Sequence, residues 1–265
     1  MGTPPPLPTF WEMRPPESWA CIDILSDLHL SEDTPRTFDA WAAHLRYTSA
    51  DAVFILGDLF EVWVGDDARL GGFEARCAEV LAEGAASRTV AFMAGNRDFL
   101  VGGDMLKQCG VMALADPTVV VAFGERLMLS HGDALCLADV DYQAFRRQVR
   151  SAQWQADFLA RPLAERRVLA RRLRDQSEAR KASQANEDWS DVDAATAVRW
   201  MHEAGTPTLV HGHTHRPGSE PLAPGFVRHV LSDWDLDHGD RAEVLRWRRS
   251  GLARRPPSRA GDSSP

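Results

Sequence analysis

The sequence predicts an α/β body interrupted by a helical insertion, and three observations predict it. Short apolar runs of strand length repeatedly end at a polar cluster: "CIDIL" before "SDLHL", "AVFIL" before "GDLFE", "TVAFM" before "AGNRD", "RLMLS" before "HGD" and "PTLV" before "HGHTH". Helical patterns such as Phe38 to Tyr47 and Phe73 to Ala85 lie between several of these runs, giving β-α-β alternation. From about Tyr142 to Gly205 no strand signal appears, and Ala, Arg, Leu and Gln dominate.

Taken in order, residues 1–18 are Pro-rich, lack the basic start and apolar middle of a signal peptide, and are expected to be unstructured. Residues 19–250 form the expected domain. Its insertion, at about 142–205, is expected to be a cap of three helices: "YQAFRRQVRSAQWQADFLA", "LAERRVLARRLRDQSEARKASQ" and "VDAATAVRWMHEA". Strands return at "TPTLV", "FVRHVLSDW" and "EVLRW", and residues 251–265, polar and Pro-rich, are expected to be an unstructured tail. In open α/β sheets ligands collect where loops leave the carboxyl ends of strands, so all five polar clusters are expected on one rim.

Composition narrows the function classes. A chain of 265 residues is ample for a substantial core, and no apolar run reaches the roughly 18 residues of a membrane span. Cys21, Cys77, Cys109 and Cys136 form no C-x-x-C pair, so neither a zinc knuckle nor a disulfide framework is indicated, and a reducing cytosol fits. The net charge of -8 argues against general nucleic-acid binding, although a local basic face can still receive an anion.

The polar clusters carry the chemistry. Asp27 and His29 stand two apart, which on a strand end puts both side chains on one side. Asp58 adds a second carboxylate, Asn96 a neutral oxygen, and His131, His213 and His215 three imidazoles. Seven oxygen and nitrogen donors are too many for one tetrahedral zinc. With Asp58 bridging, they supply two metals with positions open to water and substrate. Without thiolates the set suits Mn(II), Fe(II), Zn(II) or related ions. Two such ions, roughly 3.5 to 4 Å apart, acidify a shared water and clamp the attacking and leaving oxygens of a phosphoryl group.

The ordered set D-x-H, G-D, G-N-R-D, H-G-D and G-H-T-H, running from Asp27 to His215, resembles the calcineurin-like metallophosphoesterases. The resemblance implies a β-sandwich flanked by helices. It also implies two divalent ions, Mn(II) foremost, one held by Asp27, His29, Asp58 and His215 and the other by Asp58, Asn96, His131 and His213. The longer stretches "SDLHLSEDTP", "ILGDLFEVWVGDD", "GNRDFLVG", "SHGDALCLADVDYQAFR" and "HGHTHRP" are similar to the branch of that family that hydrolyses UDP-2,3-diacylglucosamine in lipid A biosynthesis. That similarity implies substrate contacts from Asn96, Arg97, Asp139, Tyr142, Ser177, Lys181, Gln184 and His213. It further implies peripheral work at the cytoplasmic face of the inner membrane, with no nucleic acid and no obligate protein partner.

Arg97 narrows the reaction. Many members of the family carry a histidine there, able to protonate an alkoxide leaving group. An arginine is no acid near neutral pH, but it binds phosphate bidentately and stabilises developing charge. A phosphate monoester, with a second pKa of about 6, leaves without an acid, so Arg97, with Asn96 beside it, tilts the expectation towards a pyrophosphate bond. From Arg161 to Lys181 eight basic residues face three acidic ones on helices that also carry Leu and Val, a surface suited to a substrate anionic at one end and oily at the other.

Several residues receive plainer expectations: His211 a packed strand residue, Asp98 and Asp133 local salt bridges or hydrogen bonds to the ligands, Trp63 and Phe99 core. His44, His202, His229 and His238 are expected to be ordinary. Two other functions stay open: a nucleotide pyrophosphatase or phosphodiesterase without a lipid requirement, and a non-catalytic scaffold. Scaffolds of this kind usually lose ligands, and here all seven are present.

Overall fold

A computed structural model of the chain describes residues 6–183 and 191–262. Two six-stranded sheets form its centre. One has the order β1 (Trp11–Met13), β6 (Thr118–Ala122), β7 (Glu125–Ser130), β8 (Thr208–His211), β10 (Phe226–Val230), β9 (Gly218–Ala223). The other runs β12 (Gly251–Arg255), β11 (Val244–Arg248), β2 (Cys21–Leu25), β3 (Ala52–Leu56), β4 (Thr89–Met93), β5 (Met112–Leu114). Strands β2 to β5 pair in parallel, with α1 (Pro35–Tyr47), α2 (Gly72–Ala85) and α3 (Gly103–Cys109) as their crossovers.

The period of two along each strand sorts the apolar residues into layers. Ile22, Ile24, Phe54, Leu56, Ala91 and Met93 face the other sheet, meeting Val120, Leu127, Leu129 and Val210. The alternate residues Leu25, Val53, Ile55, Val90 and Phe92 face α1 to α3, where Trp41, Leu45, Leu81 and Met105 close the outer layer. On the opposite side Met128 and Leu209 pack against Ala197, Trp200 and Met201 of α7 (Ala194–Glu203). The α/β sandwich expected from the sequence is therefore present as four layers: helices, sheet, sheet, helix.

The insertion differs from expectation in two respects. Its first helix is two, α4 (Val140–Val149) and α5 (Ala152–Leu159), because Ser151 leaves helical geometry and its side chain accepts from Trp154 N to cap the second. Its last helix, α7, is not cap but the outer layer of the first sheet. The long α6 (Leu163–Ser183) lies between them and is anchored to the body by charge. Arg166, 3% exposed, donates to Val64 O and pairs with Asp67, and Arg167 pairs with Glu74 at 3.0 Å. Part of the basic excess expected to receive substrate thus holds the cap in place.

Both segments expected to be unstructured contribute a strand. Within 1–18, Trp11 to Met13 add a parallel edge to β6. Within 251–265, Gly251 to Arg255 pair with β11, and Arg254 donates to Gly218 O and Val230 O, each at 2.7 Å. Short edge strands held by backbone bonds need no apolar periodicity, so composition gave no sign of them.

His44 was expected to be ordinary and is instead 1% exposed in α1. Ser258 N donates to its Nδ1 at 3.1 Å, so the ring proton is on Nε2, 3.4 Å from Asp23 Oδ2. Asp23 is itself held by Arg246 at 2.7 and 2.8 Å. Burial, helped by Arg246 and Arg88 and opposed by Asp23, pushes His44 down from 6.5 to about 4. Between those values the unfolded chain binds a proton that the fold does not. This contribution is therefore complete above about pH 6.5 and lost as the pH falls towards 4. Urea unfolding across that window should show a shallower pH dependence for His44→Gln than for wild type, by up to about 1.4 kcal/mol per pH unit.

Candidate metal centre

All five clusters lie on one rim of the sandwich, at strand exits. Asp27 and His29 follow β2, Asp58 follows β3, Asn96 follows β4, His131 follows β7, and His213 and His215 follow β8. Asp27 and His29 converge by a route other than the expected strand alternation: both have left-handed backbone, with φ of 55° and 49°. Six non-glycine residues among those described have positive φ, and five of them are candidate ligands: Asp27, His29, Asp58, His213 and His215. Such conformations cost roughly 1–3 kcal/mol each and persist only where the surroundings enforce them. Part of that enforcement is the contact of Gly57 with Gly95. Gly57 has φ of 85°, and a Cβ at Gly95 would overlap the Asp58 backbone and carboxylate.

Seven side chains gather into two groups. In the first, His215 Nε2 lies 3.4 Å from Asp27 Oδ1 and 3.3 Å from His29 Nε2. In the second, Asn96 Oδ1 lies 2.9 Å from His131 Nε2 and 2.7 Å from His213 Nδ1. Asp58, 2% exposed, stands between them, with Oδ2 at 3.9 Å from His29 Nε2 and Oδ1 at 3.7 Å from His131 Nε2.

The donor set fits cations. Glu61 Oε2 stands 3.3 Å from His29 Nδ1, which favours the proton of that neutral ring on Nδ1 and leaves its Nε2 lone pair facing His215 Nε2. Asp233 Oδ2 stands 4.0 Å from His215 Nδ1, beyond hydrogen-bond reach, while His215 Nε2 lies against Asp27. Likewise His131 Nδ1 donates to Leu56 O at 2.8 Å, leaving its Nε2 lone pair directed at the acceptor Asn96 Oδ1. Acceptors facing each other at 2.9 Å repel unless positive charge lies between them. The field has the same sign: burial pushes His131 down, but Asp58, Asp133 and Asp27 raise it to about 9. A divalent cation answers that demand, and each trio (Asp27, His29, His215; Asp58, His131, His213) could hold one.

Around this centre the other expected residues divide. Arg97 lies at the rim. Its backbone N donates to Asp58 Oδ1 at 2.8 Å, and its guanidinium is 3.4 Å from Glu61 Oε1. Tyr142 sets its ring 5.8 Å from that of His213 but donates its hydroxyl to Asp133 at 2.6 Å, so it has an aromatic face to offer. Asp139, expected as a substrate contact, is the N-cap of α4, its Oδ1 accepting from Tyr142 N at 2.9 Å. Ser177 and Lys181 lie on α6 with side chains outside the described residues, and Gln184 lies outside them altogether.

Asp133 is buried beneath three donors from α4: Tyr142, Arg146 at 2.8 Å and Arg150 at 3.4 Å. Burial raises its carboxyl, while Arg150 and Arg146 more than offset this and hold it well below the usual range. His211 is fully buried, its Nδ1 donating to Gly212 O at 2.9 Å, and burial first, with Arg228 adding, pushes it to about 4. Trp63 packs in the core against Phe60, and Phe99 packs against Trp154. Sequence reasoning passed over Glu61 and Asp233. Glu61 had a signal, as a carboxylate three residues after Asp58 in a strand-exit loop.

Asp98 organises the rim. Its buried carboxylate accepts from Leu59 N and Gly95 N at 2.8 Å and from Asp58 N and Phe60 N at 3.3 Å, tying the G-D loop to the G-N-R-D loop. Asp98→Ala would leave four backbone donors without that acceptor, each worth about 1–3 kcal/mol when buried. Urea denaturation should report a loss of at least about 3 kcal/mol, with Asp98→Asn milder because one amide oxygen remains.

Comparison with known proteins agrees with this geometry. The family model for calcineurin-like phosphoesterases matches residues 22–217. The UDP-2,3-diacylglucosamine hydrolase of Chromobacterium violaceum is 43% identical over 231 residues, spanning 84% of this chain and 93% of its own length. That of Aromatoleum aromaticum is 42% identical over 233 residues, spanning 86% and 93%, and that of Cellvibrio japonicus 43% over 216 residues, spanning 80% and 90%. The chain belongs to the calcineurin-like phosphoesterase family.

Proposed function

We propose that the chain hydrolyses the pyrophosphate bond of UDP-2,3-diacylglucosamine, giving UMP and 2,3-diacylglucosamine 1-phosphate, a step of lipid A biosynthesis. The observation that carries this reading is the pair of acceptor clusters sharing Asp58, with Arg97 in place of an acid beside them. The named relatives, similar over most of both chains, supply the substrate. Asp27, His29, Asp58 and His215 would hold one divalent ion, and Asp58, Asn96, His131 and His213 the other, with Mn(II) the expected metal. Bound there, the pair would supply Lewis acidity towards phosphoryl oxygens and the means to acidify a water.

The chain's own residues do the rest. Arg97 is held at the rim by its backbone bond to Asp58 and by Glu61, so its guanidinium meets the diphosphate with little further ordering. As water attacks the α-phosphorus and the P–O bond breaks, negative charge grows on the leaving sugar phosphate, and Arg97 stabilises it. No general acid is needed, because a phosphate monoester is a stable anion. The ring of Tyr142 against His213 supplies an apolar wall beside the phosphates.

Lipid contact would fall to the cap. Val140, Phe145, Leu159 and Val168 on α4, α5 and α6 are at least 39% exposed, an apolar surface interleaved with arginines. No described helix is long and apolar enough to cross a membrane. The reading is therefore peripheral association with the cytoplasmic face of the inner membrane.

Hydrolysis by Mn(II)-loaded protein in ¹⁸O-water should place label in UMP and none in the lipid phosphate, read by mass spectrometry. Comparable turnover of UDP-sugars lacking acyl chains would remove the lipid assignment and leave a nucleotide pyrophosphatase. Asp58→Ala should lose both turnover and Mn(II) retention. Arg97→His should retain Mn(II) while kcat falls about 10²- to 10³-fold, and unchanged pyrophosphate turnover would sink the charge-stabilising role.

A further inference from the structure

The loops leaving β2 and β3 run side by side beyond the sheet. His29 N donates to Asp58 O at 3.0 Å, Leu30 N to Leu59 O at 2.9 Å, and Glu61 N to Leu30 O at 3.1 Å. This extension fixes the Glu61 backbone beside His29. The Glu61 carboxylate, 13% exposed, then meets three basic groups from three parts of the chain. Oε2 stands 3.3 Å from His29 Nδ1, and Oε1 stands 3.4 Å from Arg97 and 3.2 Å from Arg174 Nε on α6.

We propose that Glu61 is a positioning residue that fixes the ring of His29 and the guanidinium of Arg97 and ties both to the cap helix through Arg174. The proposal rests on the two-metal reading above. A carboxylate at Nδ1 keeps the ring proton there, turns the Nε2 lone pair towards Asp27 and Asp58, and raises the ligand's basicity. The same carboxylate restrains Arg97, whose long side chain is otherwise free to sample many rotamers. Its third partner makes Glu61 a second point at which the long cap helix touches the loop after β3, some two turns beyond the clamp at Arg166 and Arg167. The other carboxylate near a ligand ring, Asp233, stands farther from His215, at 4.0 Å, and pairs with Arg241 instead, so the nearer carboxylate contact belongs to His29.

The test titrates Mn(II) into chelator-stripped full-length protein, following free Mn(II) by electron paramagnetic resonance, alongside thermal melts of the stripped protein and steady-state kinetics. In Glu61→Ala one of two Mn(II) affinities should weaken about 10- to 100-fold while the other stays within about twofold. The melting midpoint should stay near that of wild type, and kcat should fall by more than KM changes. Glu61→Gln, which still accepts at Nδ1–H but lacks the charge, should fall between wild type and Ala in both Mn(II) affinity and kcat. A merely structural role would lower the melting midpoint without separating the two Mn(II) affinities or ordering the variants in this way. A folded Glu61→Ala with a wild-type Mn(II) isotherm would overturn the proposal; if Ala does not fold, a wild-type isotherm and kcat in Glu61→Gln overturns it. Failure of the wild-type protein itself to bind Mn(II) would overturn the metal-centre reading on which the proposal rests.

Discussion

The centre depends on a cluster of buried acceptors that repel one another unless positive charge sits among them. Asp58 is the shared member, with one oxygen towards His29 and the other towards His131. Holding such a set together costs electrostatic energy and backbone strain, since five of the seven donors adopt left-handed φ. The fold meets that cost with backbone donors and close packing. Asp98 gathers four N–H groups under the Asp58 loop, Arg97 N binds Asp58 Oδ1, and Gly95 lets the two loops touch where a Cβ would intrude. The demand for cations and the geometry of the rim are one constraint seen from two sides.

The cap follows from the same economy of charge. Asp133, next but one to His131, draws Tyr142, Arg146 and Arg150 of α4 against the H-G-D loop, and Arg150 reaches on to Gly95 O at 2.9 Å. Arg166, Arg167 and Arg174 do the same for α6, against the loop after β3 and the start of α2. Asp133 on one side, and Asp67, Glu74 and Glu61 on the other, thus fix an insertion that shares only a few apolar residues with the core, among them Phe158, Leu163 and Leu169. An ionic attachment of this kind sets position with few contacts, and it leaves the apolar residues of the cap available at its surface.

Much of this was legible in sequence because it rests on local rules. The strands β2, β3, β4, β7 and β8 announce themselves as apolar runs, and each ligand follows one of them, so residue type and order alone define the seven-donor set. Less legible were elements whose stability is not local. β1 and β12 are held by bonds to neighbouring strands, and α7 has an amphipathic pattern suited equally to cap or body until Met128 and Leu209 present a surface for it. Among side chains, the capping role of Asp139 was not read from the sequence, where a carboxylate before a helix serves more than one purpose.

The sequence by itself determined which seven candidate donors stand at which strand exits, and that an arginine follows Asn96. Donor identity and strand-exit position are properties of residue type and apolar period, which need no third dimension. Tertiary structure alone decided how those donors face one another, through left-handed turns at the ligands and the buried carboxylate of Asp98. It alone brought Glu61 against His29, Arg97 and Arg174, residues separated by as much as 145 positions between His29 and Arg174. Such meetings depend on the register of parallel strands and the docking of an inserted helix, and pairwise distance across a fold is not encoded in any local stretch of the chain.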